Sequence, residues 1–186
     1  MKIIILDRDG VINHDSTKYV KNADEWEPID GSLKAIANLT QIGYKVIVCT
    51  NQSGIGRGLY GMEELNEMHE KMHKLVSHEG GTIAAIFMCP HTPEDNCNCR
   101  KPKPGMIKEI CERFNIDDIS KVMLVGDSER DLLAIDAAGG IPVLVKTGNG
   151  KKTLNKDSLP KNTIVFDNLL AVSEYLITKE EEEHGK

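Results

Sequence analysis

Short apolar, β-branched runs alternate with stretches of helical periodicity along almost the whole chain. The runs Lys2–Leu6, Lys45–Cys49, Ile83–Met88, Lys121–Val125, Ile141–Val145 and Ile164–Phe166 read as strands. Most are near-continuous Ile, Val and Leu rather than alternating, as expected for strands covered on both faces of a parallel sheet. Apolar residues at helical spacing predict helices over Leu33–Ile42, Met62–His78, Met106–Phe114, Glu129–Ala138 and Leu169–Ile177. In the second of these, Met62, Leu65, Met68, Met72 and Leu75 form one stripe, read as core packing rather than a cofactor box.

This order predicts an α/β fold, a doubly wound and mostly parallel sheet with right-handed crossovers. Ligands of such sheets bind beyond the carboxyl ends of the strands, near the point where strand order reverses. The residues after each strand therefore hold the functional information. No repeat, linker or second domain interrupts the pattern, so residues 1–178 read as one domain. Lys179–Lys186, with four consecutive glutamates, reads as a frayed, solvated tail.

Composition narrows the class. At 186 residues and 40% hydrophobic, the chain can build one sizeable core. A net charge of −6 and 4% aromatic residues argue against a general nucleic-acid binder, which needs a basic face and stacking rings. No apolar run approaches the ~18 residues of a membrane span. Asp7 cuts off the first run, Ile3–Leu6, before it can resemble a signal peptide. The expectation is a cytoplasmic monomer with a small-molecule substrate and neither nucleic-acid nor membrane partners. Five cysteines, odd in number and unevenly spread, do not make a disulfide scaffold.

Four strand ends carry candidate chemistry. After the first comes Asp7-Arg8-Asp9-Gly10. Residues two apart in extended chain point the same way, so Asp7 and Asp9 can converge on a magnesium ion. The same residues would also suit a polar turn. After the second comes Thr50-Asn51-Gln52-Ser53-Gly54-Ile55-Gly56-Arg57-Gly58, either an anion-cradling loop or an ordinary glycine-rich one. Gly126-Asp127-Ser128-Glu129-Arg130-Asp131 places another carboxylate at a strand end, or caps the helix that follows. Cys99-Arg100-Lys101-Pro102-Lys103-Pro104-Gly105 is a basic, proline-stiffened segment, which alone could be a solvated loop.

Cys89-Pro90-His91 and Cys97-Asn98-Cys99 supply three thiolates and one imidazole. That is a closed tetrahedral zinc set with no open position, hence structural rather than catalytic. Its expected role is to brace the loop ahead of Arg100 and Lys101. Cys49 and Cys111 fall within regular elements and read as buried, inert thiols. His14, His69, His73, His78 and His184 have no partner pattern.

Taken in order, Asp-x-Asp, Thr, Lys and Gly-Asp-x-x-x-Asp across residues 2 to 145 resemble the four motifs of the haloacid dehalogenase-like phosphatase superfamily. Within it, the cysteine pattern, Cys99-Arg100-Lys101-Pro102 and the Thr50–Gly58 run resemble the heptose bisphosphate phosphatases and the related histidinol-phosphate phosphatases. Ser128 departs from the heptose enzymes, which commonly have lysine there. The resemblance implies a Rossmann-like fold without a cap domain, since Val11–Asp30 leaves no room for one. It also implies magnesium-dependent removal of the C7 phosphate of a D-glycero-D-manno-heptose 1,7-bisphosphate.

By the same resemblance, Asp7 is the nucleophile that forms an aspartyl-phosphate, and Asp9 is the acid and base. Thr50 and Lys101 hold phosphate oxygens. The magnesium ligands would be Asp7, Asp9 through its backbone carbonyl, and Asp127, with Asp131 orienting Lys101 or the metal site. Substrate binding would fall to Asn51, Gln52, Ser53, Arg57 and Arg100, the two arginines meeting a second phosphate. The alternatives are histidinol-phosphate hydrolysis, or a non-enzymatic phospho-acceptor switch. Such a switch needs neither an acid two residues beyond the acceptor nor a zinc-braced loop.

Overall fold

The computed structural model describes residues 1–184. Its strands are β1 (Lys2–Leu6), β2 (Tyr44–Asn51), β3 (Ile83–Cys89), β4 (Met123–Gly126), β5 (Ile141–Val145) and β6 (Ile164–Phe166). They form one sheet in the order β3-β2-β1-β4-β5-β6, with every neighbouring pair parallel. The chain winds outward from β1 to β3, then crosses back to lay β4 on the other side of β1. The seam between β1 and β4 is thus the switch point at which such sheets bind ligands.

The helices are α1 (Ser32–Gln41), α2 (Ser53–Gly56), α3 (Met62–His78), α4 (Gly105–Phe114), α5 (Glu129–Ala138), α6 (Gly150–Thr153) and α7 (Leu169–His184). Because successive strand residues face opposite ways, β1 and β2 feed two cores at once. Ile4, Leu6, Val46 and Val48 pack with Ile36 and Leu39 of α1, Met68 and Met72 of α3, and Val172 of α7. Ile3, Ile5, Ile47 and Cys49 pack with Ile107 and Ile110 of α4 and Ile135 of α5. The methionine stripe is core packing as expected, except that Met62 at its start is exposed.

Residues between β1 and α1 form an irregular loop, not a cap domain. Isolated bridges tie Asn13 to Asp9 and Pro28. The loop folds Trp26 completely out of solvent into the first core. Lys71 of α3 closes over it, its Nζ 6.0 Å from the ring centroid and donating to the carbonyls of Ala23 and Trp26 at 2.7 Å each.

Three boundaries differ from the sequence reading by two residues or more. β4 starts at Met123 because Ile119–Lys121 make a 3-10 turn, with the Asp118 carboxylate accepting from the Ser120 N–H. β2 runs on to Asn51, carrying Thr50 to the edge of the site. α7 continues through His184, where a frayed tail was expected from Lys179. Its docked half templates the rest, glutamate is a good helix former, and Glu180 pairs with Lys2. Gly185 and Lys186 of that tail lie outside the described residues. Among the described residues no helix is long and apolar enough to cross a membrane.

Candidate active site

The site grows from the β1–β4 seam. The Asp7 N–H still donates to the Val125 carbonyl at 2.9 Å, which fixes Asp7 directly above the switch point. The chain then turns sharply, the Arg8 carbonyl accepting from the N–H groups of Val11, Ile12 and Asn13. Gly10 sits in this turn at φ +82°, and a Cβ there would lie 2.1 Å from Asp127 Oδ2. Only glycine meets both the backbone sign and the close approach of the carboxylate that follows β4.

Lys101 arrives from the far loop and is buried. Its Nζ lies 3.0 Å from Asp7 Oδ1 and 2.7 Å from Asp131 Oδ1, and donates to the Cys49 carbonyl at 2.6 Å. Two anchors hold this arrangement. The Asn51 amide spans the Lys101 backbone, Oδ1 accepting from its N–H at 3.1 Å and Nδ2 donating to its carbonyl at 3.0 Å. The other oxygen of Asp131 accepts from the Ser128 N–H at 3.1 Å, capping α5.

Oxygens of Asp7, Asp127 and Asp131 all lie within 4.8 Å of one another. Three buried carboxylates against the one ammonium of Lys101 leave an excess of two negative charges (3 − 1 = 2). Burial and the Asp131 charge accordingly push Asp7 up to about 7 and Asp127 up to about 6. On Lys101 burial works against the charge, yet Asp131 and Asp7 raise its pKa. A divalent cation with a preference for oxygen ligands matches both the donor set and the missing charge.

Asp9 does not join this group. The expectation that its carboxylate converges with that of Asp7 assumed extended chain, but β1 ends at Leu6 and the turn at Arg8 separates the two. The Asp9 carboxylate instead lies in the fork of Arg8. It accepts from Nη2 at 2.9 and 3.1 Å, from Nε at 3.2 Å, from Asn13 Nδ2 at 2.8 Å and from Gln52 Nε2 at 2.8 Å. Burial opposes its charge, but Arg8 and these hydrogen bonds hold its pKa below the usual carboxylate range.

The residues expected to touch substrate divide. Asn51 is committed to Lys101. Gln52 is buried, donating to Asp9 and to Thr50 Oγ1 at 2.9 Å and accepting from Tyr60 at 2.5 Å. Ser53 is buried at the start of α2, and Thr50 is buried beside Gln52. Arg57 is exposed and Arg100 half-buried, its Nη1 donating to the His91 carbonyl at 3.2 Å.

Sequence reasoning missed four contributors: Arg8, Tyr60, His69 and Arg130. At Arg130, the second residue of α5, partial desolvation lowers the pKa, but the charges of Asp131, Asp7 and Asp127 raise it overall. It also lowers the pKa of Arg100, as burial and Arg57 do. The charges of Arg130 and Arg57 thus both act on Arg100. The available signal was spacing, since Arg130 lies one helical turn beyond Asp127.

The four cysteine-loop residues converge. Sγ–Sγ distances among Cys89, Cys97 and Cys99 are 3.2, 3.4 and 3.6 Å, and His91 Nδ1 lies 3.7 and 3.3 Å from Cys89 and Cys99. A zinc tetrahedron with bonds of about 2.3 Å to sulfur and 2.0 Å to nitrogen has edges of roughly 3.5–3.8 Å, close to these values. Lys103 Nζ closes the loop on the Asn96 and Cys97 carbonyls at 3.3 and 2.9 Å. Of the other cysteines, Cys49 is fully buried, its thiol pushed up to about 12 by burial, whereas Cys111 is only half-buried.

Comparison with known proteins agrees with this construction. The family model described as Polynucleotide kinase 3 phosphatase matches residues 2–170. A D-glycero-beta-D-manno-heptose-1,7-bisphosphate 7-phosphatase from Neisseria meningitidis is 60% identical over 179 residues, 95% of each chain. The same-named protein from Pseudomonas putida is 51% identical, covering 95% of this chain and all of the relative. Among solved structures, the D,D-heptose 1,7-bisphosphate phosphatase of Bordetella bronchiseptica, complexed with magnesium and phosphate, superposes with a TM-score of 0.94. It shares 52% identity and covers 96% of this chain and 99% of the other. With near-full-length identity on the same fold, the chain belongs to the family of the D-glycero-beta-D-manno-heptose-1,7-bisphosphate 7-phosphatases, haloacid dehalogenase-like phosphatases.

Proposed function

We propose that this chain removes the C7 phosphate of a D-glycero-D-manno-heptose 1,7-bisphosphate through an aspartyl-phosphate on Asp7. The observation that carries the reading is the buried Asp7 carboxylate at the switch point, with Lys101 at 3.0 Å and two further carboxylates beside it. The names of the relatives and the magnesium and phosphate of the Bordetella structure support it. Asp7, Asp127 and the Asp9 backbone carbonyl would hold magnesium, which screens the repulsion between a carboxylate and a phosphate dianion. The Cys89, His91, Cys97 and Cys99 set would hold a structural zinc ion.

Asp7 attacks phosphorus, splitting one difficult step into two easier ones. Lys101 and Thr50 hold the phosphoryl oxygens, and Asp131 keeps Lys101 aimed. Asp9 protonates the departing C7 oxygen, then takes a proton from the water that hydrolyses the aspartyl-phosphate. Incoming phosphate charge favours its protonated form for the first half, and the Arg8 fork favours the ionised form for the second. Without a cap, selectivity falls to loop cations, with Arg57, Arg100 and Arg130 offering guanidiniums that suit the phosphate that is retained.

A kinetic panel of both heptose bisphosphate anomers and histidinol phosphate tests this. A charge-assisted phosphate contact is worth on the order of 1.5–3 kcal/mol, so the bisphosphate should lead in kcat/KM by roughly ten- to a hundredfold. Arg57→Ala should reduce bisphosphate turnover and leave monophosphate turnover unchanged. Higher efficiency with histidinol phosphate would overturn the heptose reading. Stable phosphoprotein without phosphate release in magnesium would make the chain a switch.

A further inference from the structure

Arg8 is completely buried, which an arginine tolerates only when its donors are matched. Nε and Nη2 are taken by Asp9 and by Gln52 Oε1, the latter at 3.2 Å. Nη1 reaches His69 Nε2 of α3 at 3.4 Å. A guanidinium has hydrogens to give and no lone pair to receive one. His69 must therefore face it neutral, with its proton on Nδ1 and its lone pair on Nε2. The surroundings of His69 enforce that state. Burial, Arg8 and His73 of the same helix push it down to about 4, against the smaller opposite effect of Asp9.

We propose that His69 is a positioning residue for proton transfer, fixing the Arg8 fork and through it the Asp9 carboxylate. The inference rests on the reading of Asp9 as acid and base. Losing the imidazole leaves a buried N–H without its acceptor, and the fork turns to find another. Asp9 follows, because three of its five hydrogen bonds come from that fork. The proposed function assigns the retained phosphate to Arg57, Arg100 and Arg130, none of which is in this chain of contacts, so the effect falls on the chemical step and not on binding.

The experiment compares His69→Ala, His69→Gln and Asp9→Asn, with kcat expressed per folded molecule from circular dichroism melts. His69→Ala should lower kcat on the order of tenfold with KM within about twofold of wild type, the size of a small misplacement of a reacting group. His69→Gln offers an amide oxygen to Nη1 and should recover most of the loss. In the Asp9→Asn background, His69→Ala should cost nothing further. An unchanged kcat in His69→Ala beside a disabled Asp9→Asn overturns this inference alone. Equal losses in both His69 variants, or a loss confined to KM, overturn it as well. Full turnover by Asp9→Asn would instead overturn the acid–base reading beneath it.

Discussion

Replacing Asp7 should make the protein more stable. Asp7→Asn keeps the shape of the side chain, its amide oxygen can still accept from Lys101 and the Arg8 N–H, and Lys101 keeps Asp131 at 2.7 Å. What disappears is the need to hold a third negative charge in a buried cluster. The wild-type carboxyl moves from 3.8 in the unfolded chain to about 7 in the folded one. Between those values the native state binds more protons than the unfolded state, so this group's contribution to stability falls as pH rises and levels off above about 7. Some three units at about 1.4 kcal/mol each give a difference of about 4 kcal/mol. For a chain of this length that corresponds to about 10 °C in Tm.

The assay is a pair of melting curves across pH 4 to 8 in magnesium-free buffer without chelator, so that zinc stays bound. The variant should match wild type near pH 4 and exceed it progressively toward pH 8. Taking the difference removes the groups common to both proteins that do not interact with Asp7. His69 is one of these, with the opposite slope, because its folded value lies near 4 and its contribution is lost as pH falls. Millimolar magnesium should raise wild type more than the variant and narrow the gap. A variant no more stable than wild type at pH 8 without magnesium would refute the argument that the three carboxylates exceed the positive charge that faces them.

Two further outcomes follow from geometry. Elemental analysis should find about one zinc per chain, and Cys97→Ser should lose it, raising KM before it lowers Tm, because the freed loop carries Arg100 and Lys101. Gly10→Ala should fold but lose roughly a hundredfold in kcat, since the new methyl displaces Asp127 by an ångström or more. Its melting curve should show a smaller cost, about 1–2 kcal/mol for the left-handed backbone.

The strand–helix alternation fixes the fold because parallel strands buried on both faces leave an unmistakable apolar run, as in Ile3–Leu6 and Val46–Cys49. Asp7, Thr50, Lys101 and Asp127 were legible because each follows or ends a strand or belongs to an ordered motif. The zinc set was legible because spacing alone can specify four ligands. The orientations were not. Nothing local shows that Asn51 and Gln52, in an apparent ligand loop, turn inward to hold Lys101 and Asp9. Arg8, flanked by two aspartates, looks like surface, yet it is buried and its Nη1 meets His69, sixty-one residues away on α3.

Trp26 is the only tryptophan of the chain, and it is sealed under Lys71 in the loop that follows the Asp7–Asp9 turn. The molecule therefore carries a built-in optical reporter for one face of its sheet. Indole emission shifts to longer wavelength when water reaches the ring, so any event that unseats this loop becomes visible without a label. The cysteine loop packs through Cys97 and Cys99 against the opposite core, out of contact with the indole. Stripping zinc and loosening the β1–α1 loop are thus spectrally separable, and a shift on substrate addition would report any movement of that loop during turnover.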